Sequence, residues 1–267
     1  MATTRNDGAH PLLVEPGLAD RPRAATGVNL TRMTDEIDSR ARLQVRLLGG
    51  FDVSVSGRRV PEAAWRQRRA AAVVKLLALE PRHRLHREHL METLWPDLDR
   101  DAQANNLRQM LHHARRHLTA AGLPHELALR RDGEAVTLAS AETVWVDVHA
   151  FERAVAHAWR EPSPATAREA LALYAGDLLP DDPFEEWAER RRTSLRAGYL
   201  ALLARLGHLH AERDESAEAI GAFQRLVAAE PAQETAYVAL MRLYARAGER
   251  EVALAQYDLL VAALERE

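Results

Sequence analysis

The sequence predicts an α+β lobe followed by an all-α lobe. Short alternating segments at 43–48 and 51–55 precede three helical stretches, and another alternating pair closes the group at 127–138. Beyond Asp147 the apolar periodicity is helical only. Near the end the chain repeats itself at an offset of 34 residues. These observations divide the chain into an arm (1–40), an α+β lobe (41–142) and a helical lobe (143–267).

The arm holds Pro11, Pro16 and Pro22 with several glycines and no sustained periodicity, which predicts disorder. Leu43-Gln-Val-Arg starts a half-buried strand, and Gly49-Gly50 breaks it. Phe51-Asp-Val-Ser-Val alternates again, and Ser56-Gly57 turns into Arg58-Arg59-Val60, giving a small antiparallel sheet. Helix one is expected over about 63–79, with Trp65, Ala72, Leu76 and Leu79 inward and Pro81 stopping it. Helix two is expected over 87–95, before Pro96. Helix three is expected over 102–121, with Asp99 or Asp101 accepting its first free N–H groups. Asp132-Gly133 is expected to form the two-residue turn of the hairpin, because such turns need positive φ. Six more helices are expected, at 148–158, 165–174, 184–212, 216–229, 233–247 and 250–264.

In the repeat, Leu206 corresponds to Leu240, His210 to Tyr244, Ala219 to Ala253, Ile220 to Leu254, Phe223 to Tyr257 and Leu226 to Leu260. Both the period and the small/large alternation are those of tetratricopeptide helix pairs.

Composition narrows the functional classes. The 267 residues include no cysteine, so thiolate metal sites and disulfides are excluded. No apolar run reaches membrane-spanning length and the first 40 residues hold no secretory apolar segment, so a cytoplasmic protein is expected. The net charge of −3 conceals a split. Residues 41–140 carry 17 basic and 11 acidic side chains, whereas 141–267 carry 14 and 22. A basic α+β lobe suits a polyanion.

Helix three names that polyanion. Its apolar seam is Leu107, Leu111, Ala114 and Leu118; opposite that seam Asn105, Arg108, Gln109, His112, His113, Arg115 and Arg116 are expected, with Asn106 near them. These side chains donate to base edges or phosphates, and no acid interrupts them between Gln103 and Leu118. A polar helix followed by a basic hairpin is the layout of a winged helix. Arg116, Arg108 and Gln109 are the candidates for base edges; Asn105, Asn106, His112 and His113 can take bases or phosphates. Arg66, Arg68 and Arg69 in the first turns of helix one, and Arg130 and Arg131 beside the hairpin tip, are candidates for backbone contacts.

Other chemistry is thinner. His83, His86 and His89, and the pair His113 and His117, have ligand-like spacing but no His-Glu-x-x-His, so no metal and no cofactor are expected. There is no nucleophile elbow, and the acids Asp181, Asp182, Glu185 and Glu186 are expected to serve the N-terminus of the long helix; no enzyme is expected.

Several segments together resemble one family. Leu-Leu-Gly-Gly-Phe-Asp-Val (47–53), Trp65 with its arginines, Leu-Trp-Pro-Asp (94–97) and Ala-Asn-Asn-Leu-Arg-Gln-Met-Leu-His-His-Ala-Arg (104–115) resemble the winged helix of SARP-type (Streptomyces antibiotic regulatory protein) activators. Trp-Val-Asp-Val-His-Ala-Phe-Glu (145–152), Leu-Tyr-Ala-Gly-Asp-Leu-Leu-Pro (173–180) and Trp-Ala-Glu-Arg-Arg-Arg (187–192) are similar to the bacterial transcriptional activator domain that follows it. The resemblance implies a DNA-binding activator that reads direct repeats, contacts RNA polymerase and dimerises with help from its helical lobe. Relatives often run on into further segments, and no P-loop or receiver domain is present here, so the chain is either a short regulator or part of a longer one. A second reading makes the chain a tetratricopeptide adaptor whose basic lobe binds an acidic protein.

Overall fold

The computed structural model describes residues 43–139 and 143–266; the expected arm lies outside them. Strands β1 (Leu43–Arg46), β2 (Asp52–Val55) and β3 (Arg58–Arg59) form the expected meander, with Leu43 paired to Val55 and Val45 to Val53. A fourth strand, β7 (Val144–Val146), adds parallel to β1 and was not expected. It is three residues long and pairs with a strand about a hundred residues earlier, so no local pattern marks it.

Helix one differs from expectation. Residues Glu62–Arg66 form a 3-10 turn, and α1 (Arg68–Leu79) begins after a non-helical Gln67. Helices α2 (Arg87–Leu94) and α3 (Arg100–Ala120) follow, the latter capped by Asp99, whose carboxylate accepts from the N–H groups of Asp101 and Ala102. After the short α4 (His125–Ala128), β5 (Leu129–Asp132) and β6 (Ala135–Leu138) make the hairpin. Its turn is Gly133–Glu134, one residue later than expected: Asp132 pairs with Ala135, and Gly133 carries the positive φ of 60°. A short strand, β4 (Arg84–His86), completes a second sheet in the order β4-β6-β5.

The helical lobe comprises α5 (Asp147–Arg160), α6 (Pro164–Ala172), α7 (Glu186–Ala211), α8 (Ser216–Ala229), α9 (Glu234–Arg246) and α10 (Arg250–Leu264). Helix α6 starts with a reciprocal cap between Ser163 and Thr166. The last four helices are the repeat. Phe223 of α8 is 2% exposed because Gly207 of α7 gives it room: a Cβ there would lie 2.7 Å from its ring. At the matching position of α10, Tyr257 is 57% exposed, and Met241 stands where Gly207 does. No described helix is long and apolar enough to cross a membrane.

The lobes are joined by backbone and side chain. Leu48 bridges Leu178, Gly49 N–H donates to Asp177 O, and Leu179 N–H donates to Leu47 O. Gly49 and Gly176 permit this approach, since a Cβ on Gly49 would lie 2.9 Å from Ala175 O. Across the same junction, the imidazole Nε2 of His149 lies 3.0 Å from Ala78 O, and the His149 ring lies 5.6 Å from that of His83.

Burial, and then His149, hold His83 below the ordinary histidine pKa of 6.5. A depressed folded pKa contributes stability above pH 6.5 that is lost as pH falls through the folded value. His83 also has φ 52°, a region asparagine tolerates. His83→Asn is therefore expected to flatten the loss of stability as pH falls below 6.5, measured by urea unfolding at a series of pH values. An unchanged slope would assign the acid sensitivity to other groups.

Candidate nucleic-acid interface

Helix α3 is held from below. Leu107, Leu111, Ala114 and Leu118 are buried, and Gln103, also buried, donates from Nε2 to Trp95 O at 2.8 Å. With about 100° per residue, Asn105, Arg108, Gln109, His112 and Arg116 fall within one arc of about 100° opposite that seam. All five are exposed. Asn106, His113 and Arg115 flank the arc and are half-buried. From Asn105 to Arg116 the stripe runs about 16 Å, a length that can lie along a major groove. Arg108 and Asn105 are 3.4 Å apart, so Arg108 has only a weak local tie.

The hairpin stands against the same helix. Arg115 donates from Nε at 3.1 Å and from Nη2 at 2.7 Å to Leu129 O. Its guanidinium thus anchors the first strand of the hairpin, a role that spacing along the helix does not reveal. Arg130 and Arg131 are both exposed on that strand; neighbouring strand residues point to opposite faces, so they address different sides. The hairpin acids are drawn toward arginines, Glu134 3.4 Å from Arg87 and Asp132 4.0 Å from Arg84. Burial, with Arg116 and His113 nearby, lowers the pKa of His117 and favours its neutral form.

The arginines near helix one stand at the junction with the helical lobe, beside Trp65, whose ring lies 5.9 Å from that of His117 of α3. Arg69 lies 3.7 Å from Glu185, and Arg66 and Arg68 line a cleft between the lobes. The acids expected at the start of the long helix divide between that helix and this junction. Glu186 does stand in the first turn of α7 and Glu185 at its N-cap position, but Glu185 makes no side-chain cap and accepts from Trp187 Nε1 at 2.6 Å, while Asp182 pairs with Lys75. The spaced histidines do not converge: His83 is buried beside His149, whereas His86 accepts from Glu88 N–H at the start of α2. Among the described residues no group of three or more His, Asp or Glu is placed to hold a metal ion.

Sequence reasoning gave Asp147 no role. It is 5% exposed, with Oδ2 2.8 Å from the backbone nitrogens of Leu47 and Leu48 and Oδ1 2.8 Å from that of Val148. It fixes the end of β1 to the start of α5. The only sequence signal was its place inside the Trp-Val-Asp-Val segment.

Comparison with known proteins bears on both lobes. Residues 146–267 match the family described as bacterial transcriptional activator domain. The fold is similar to that of Mycobacterium tuberculosis EmbR, solved in complex with a low-affinity phosphopeptide. The TM-score is 0.64 at 19% identity, over 85% of this chain and 60% of that one. This chain therefore spans less than two thirds of that protein's length. No curated protein matches. Residues 146–267 of the helical lobe thus match the bacterial transcriptional activator domain, and the winged helix and helical lobe together share the fold of EmbR.

Proposed function

We propose that the chain binds double-stranded DNA in a sequence-specific way and activates transcription, with no enzymatic step. One observation carries this: the exposed stripe Asn105, Arg108, Gln109, His112 and Arg116 on a helix to which Arg115 fastens a basic hairpin. Arg108, Gln109 and Arg116 read bases in the major groove; Asn105, Asn106, His112 and His113 add base or phosphate contacts. Arg130 and Arg131 hold the backbone or the adjacent minor groove. Division of the chain at about residue 142 belongs to the same reading, with the first lobe on DNA and the second turned to partners.

A single winged helix makes a small interface, so two copies on repeated half-sites gain by effective concentration. A dimer on DNA follows. Leu254 and Tyr257 of α10, at 71% and 57% exposure, support a protein contact by the helical lobe. RNA polymerase is the second partner that this reading names.

The test is enrichment of genomic fragments on the purified chain at two salt concentrations. An enriched repeated motif is expected, with log affinity falling against log salt at a slope near about −5 if about six phosphates are neutralised. Salt-sensitive binding without enrichment would leave a general nucleic-acid binder, and no binding at either salt would reject the reading.

A further inference from the structure

The cleft at the junction has features that DNA recognition by α3 does not use. It encloses about 1150 Å³ and takes walls from both lobes, with Phe51, Trp65, Arg66 and Arg68 on one side and Leu179 and Asp181 on the other. That volume suits a small molecule. Trp65 is 8% exposed, and its indole N–H is buried with no hydrogen-bond partner. A buried donor left unpaired costs about 1–3 kcal/mol, so an acceptor there would be favoured.

Three more features favour an anion at the same end. Helix α1 starts at Arg68 with no side-chain cap and no acid in its first turn. Free N–H groups and the helix dipole at such a terminus attract negative charge. Arg66 and Arg68 are exposed and, among the described residues, have no ion-pair partner. Two acids of the wall, Asp52 and Asp182, are already neutralised by Arg59 and Lys75. Glu62 and Asp181 also line the cleft, so the anion is assigned to the first turn of α1, which holds no acid. Phe51 packs edge-on to Trp65 at 5.3 Å with Lys75 Nζ 4.5 Å from the Phe51 ring centre, so the wall there is aromatic with a cation beside it.

We infer that the cleft binds a small organic anion. Its phosphate or carboxylate is held by Arg66, Arg68 and the indole N–H of Trp65, and its apolar body lies against Phe51 and Trp65. Because the walls come from both lobes, the ligand touches the DNA-binding and the helical parts together.

The test is calorimetric titration of the full chain with 1-naphthyl phosphate, without DNA. One saturable site per chain is expected, with a dissociation constant below about 1 mM. Inorganic phosphate should bind at least ten-fold more weakly. The double variant Arg66→Gln, Arg68→Gln should lose ten-fold or more. Trp65→Phe, which removes the N–H and keeps a ring, should lose several-fold, and the distant Arg266→Gln should lose nothing. Both arginines are exposed, so their double variant tests the site even if Trp65→Phe unfolds. Absence of a saturable site, unchanged affinity in the arginine variant, or equal binding of inorganic phosphate would overturn the proposal. So would displacement of the probe by duplex DNA, which would make the arginines phosphate-backbone contacts. Failure of the chain to select a DNA motif would leave the proposal standing.

Discussion

Replacing Asp147 with alanine is expected to destabilise the chain by about 3–5 kcal/mol, the largest loss from any single truncation described above. The carboxylate is buried and is the acceptor for the N–H groups of Leu47, Leu48 and Val148, all of them buried residues. Alanine would leave these donors without an acceptor at the point where the sheet joins α5. Burial pushes the Asp147 pKa from 3.8 up to about 6, against the opposing pull of the three N–H groups and Arg46. A raised folded pKa means that the folded chain holds the proton more tightly. The associated stability is therefore complete below pH 3.8 and is lost as pH rises through about 6. Asp147→Asn has no such titration. The stability gap between the native chain and Asp147→Asn should therefore narrow as pH climbs from about 4 to 7. Chemical denaturation at several pH values measures both effects. A loss below about 1 kcal/mol for Asp147→Ala would show that water replaces the carboxylate and that the junction is not closed there.

The second large effect is expected on DNA. Arg108 and Arg116 lie two helical turns apart on the exposed stripe and share no partner in the structure. Each single alanine variant is expected to cost about 1–3 kcal/mol on the selected motif and to relax the choice of base at one position. The double variant should lose about 2–6 kcal/mol, since well-separated sites add. On unrelated DNA the loss should be much smaller. Equal losses on the selected motif and on random duplexes would turn both arginines into backbone contacts and move base reading elsewhere on α3. Arg130→Ala or Arg131→Ala should instead weaken all duplexes alike and lower the salt slope by about one.

Much of this fold is legible in the sequence because its helices are long and periodic. The bounds Ser216–Ala229 and Arg250–Leu264 are met to the residue, and α3 differs from expectation by two residues at its start. What escapes notice is short or distant. β4 and β7 have three residues each and exist only through their partners. Helix one is interrupted at Gln67, where no proline or glycine gives warning. At the candidate interface, Asn105, Arg108, Gln109, His112 and Arg116 are exposed as the helical period expects, but His113 and Arg115, expected on the same face, are half-buried at its flanks. That period cannot tell that Arg115, equally polar, is spent on Leu129 O, or that Arg69 turns toward Glu185. The offset-34 repeat likewise matches residue types and not their surroundings, for Phe223 is buried and Tyr257 is open to solvent.

The parallel pairing of β7 with β1 has a practical consequence for anyone dissecting the protein. A fragment cut in the segment near residue 142 would keep α3 and its hairpin yet leave one flank of β1 bare. That flank would offer its unpaired backbone to other chains, which is how soluble fragments come to aggregate. It would also strand the N–H groups of Leu47 and Leu48, whose acceptor lies beyond the cut. The segment that keeps the backbone bonds of β1 intact therefore extends at least through Leu179, whose N–H closes on Leu47 O.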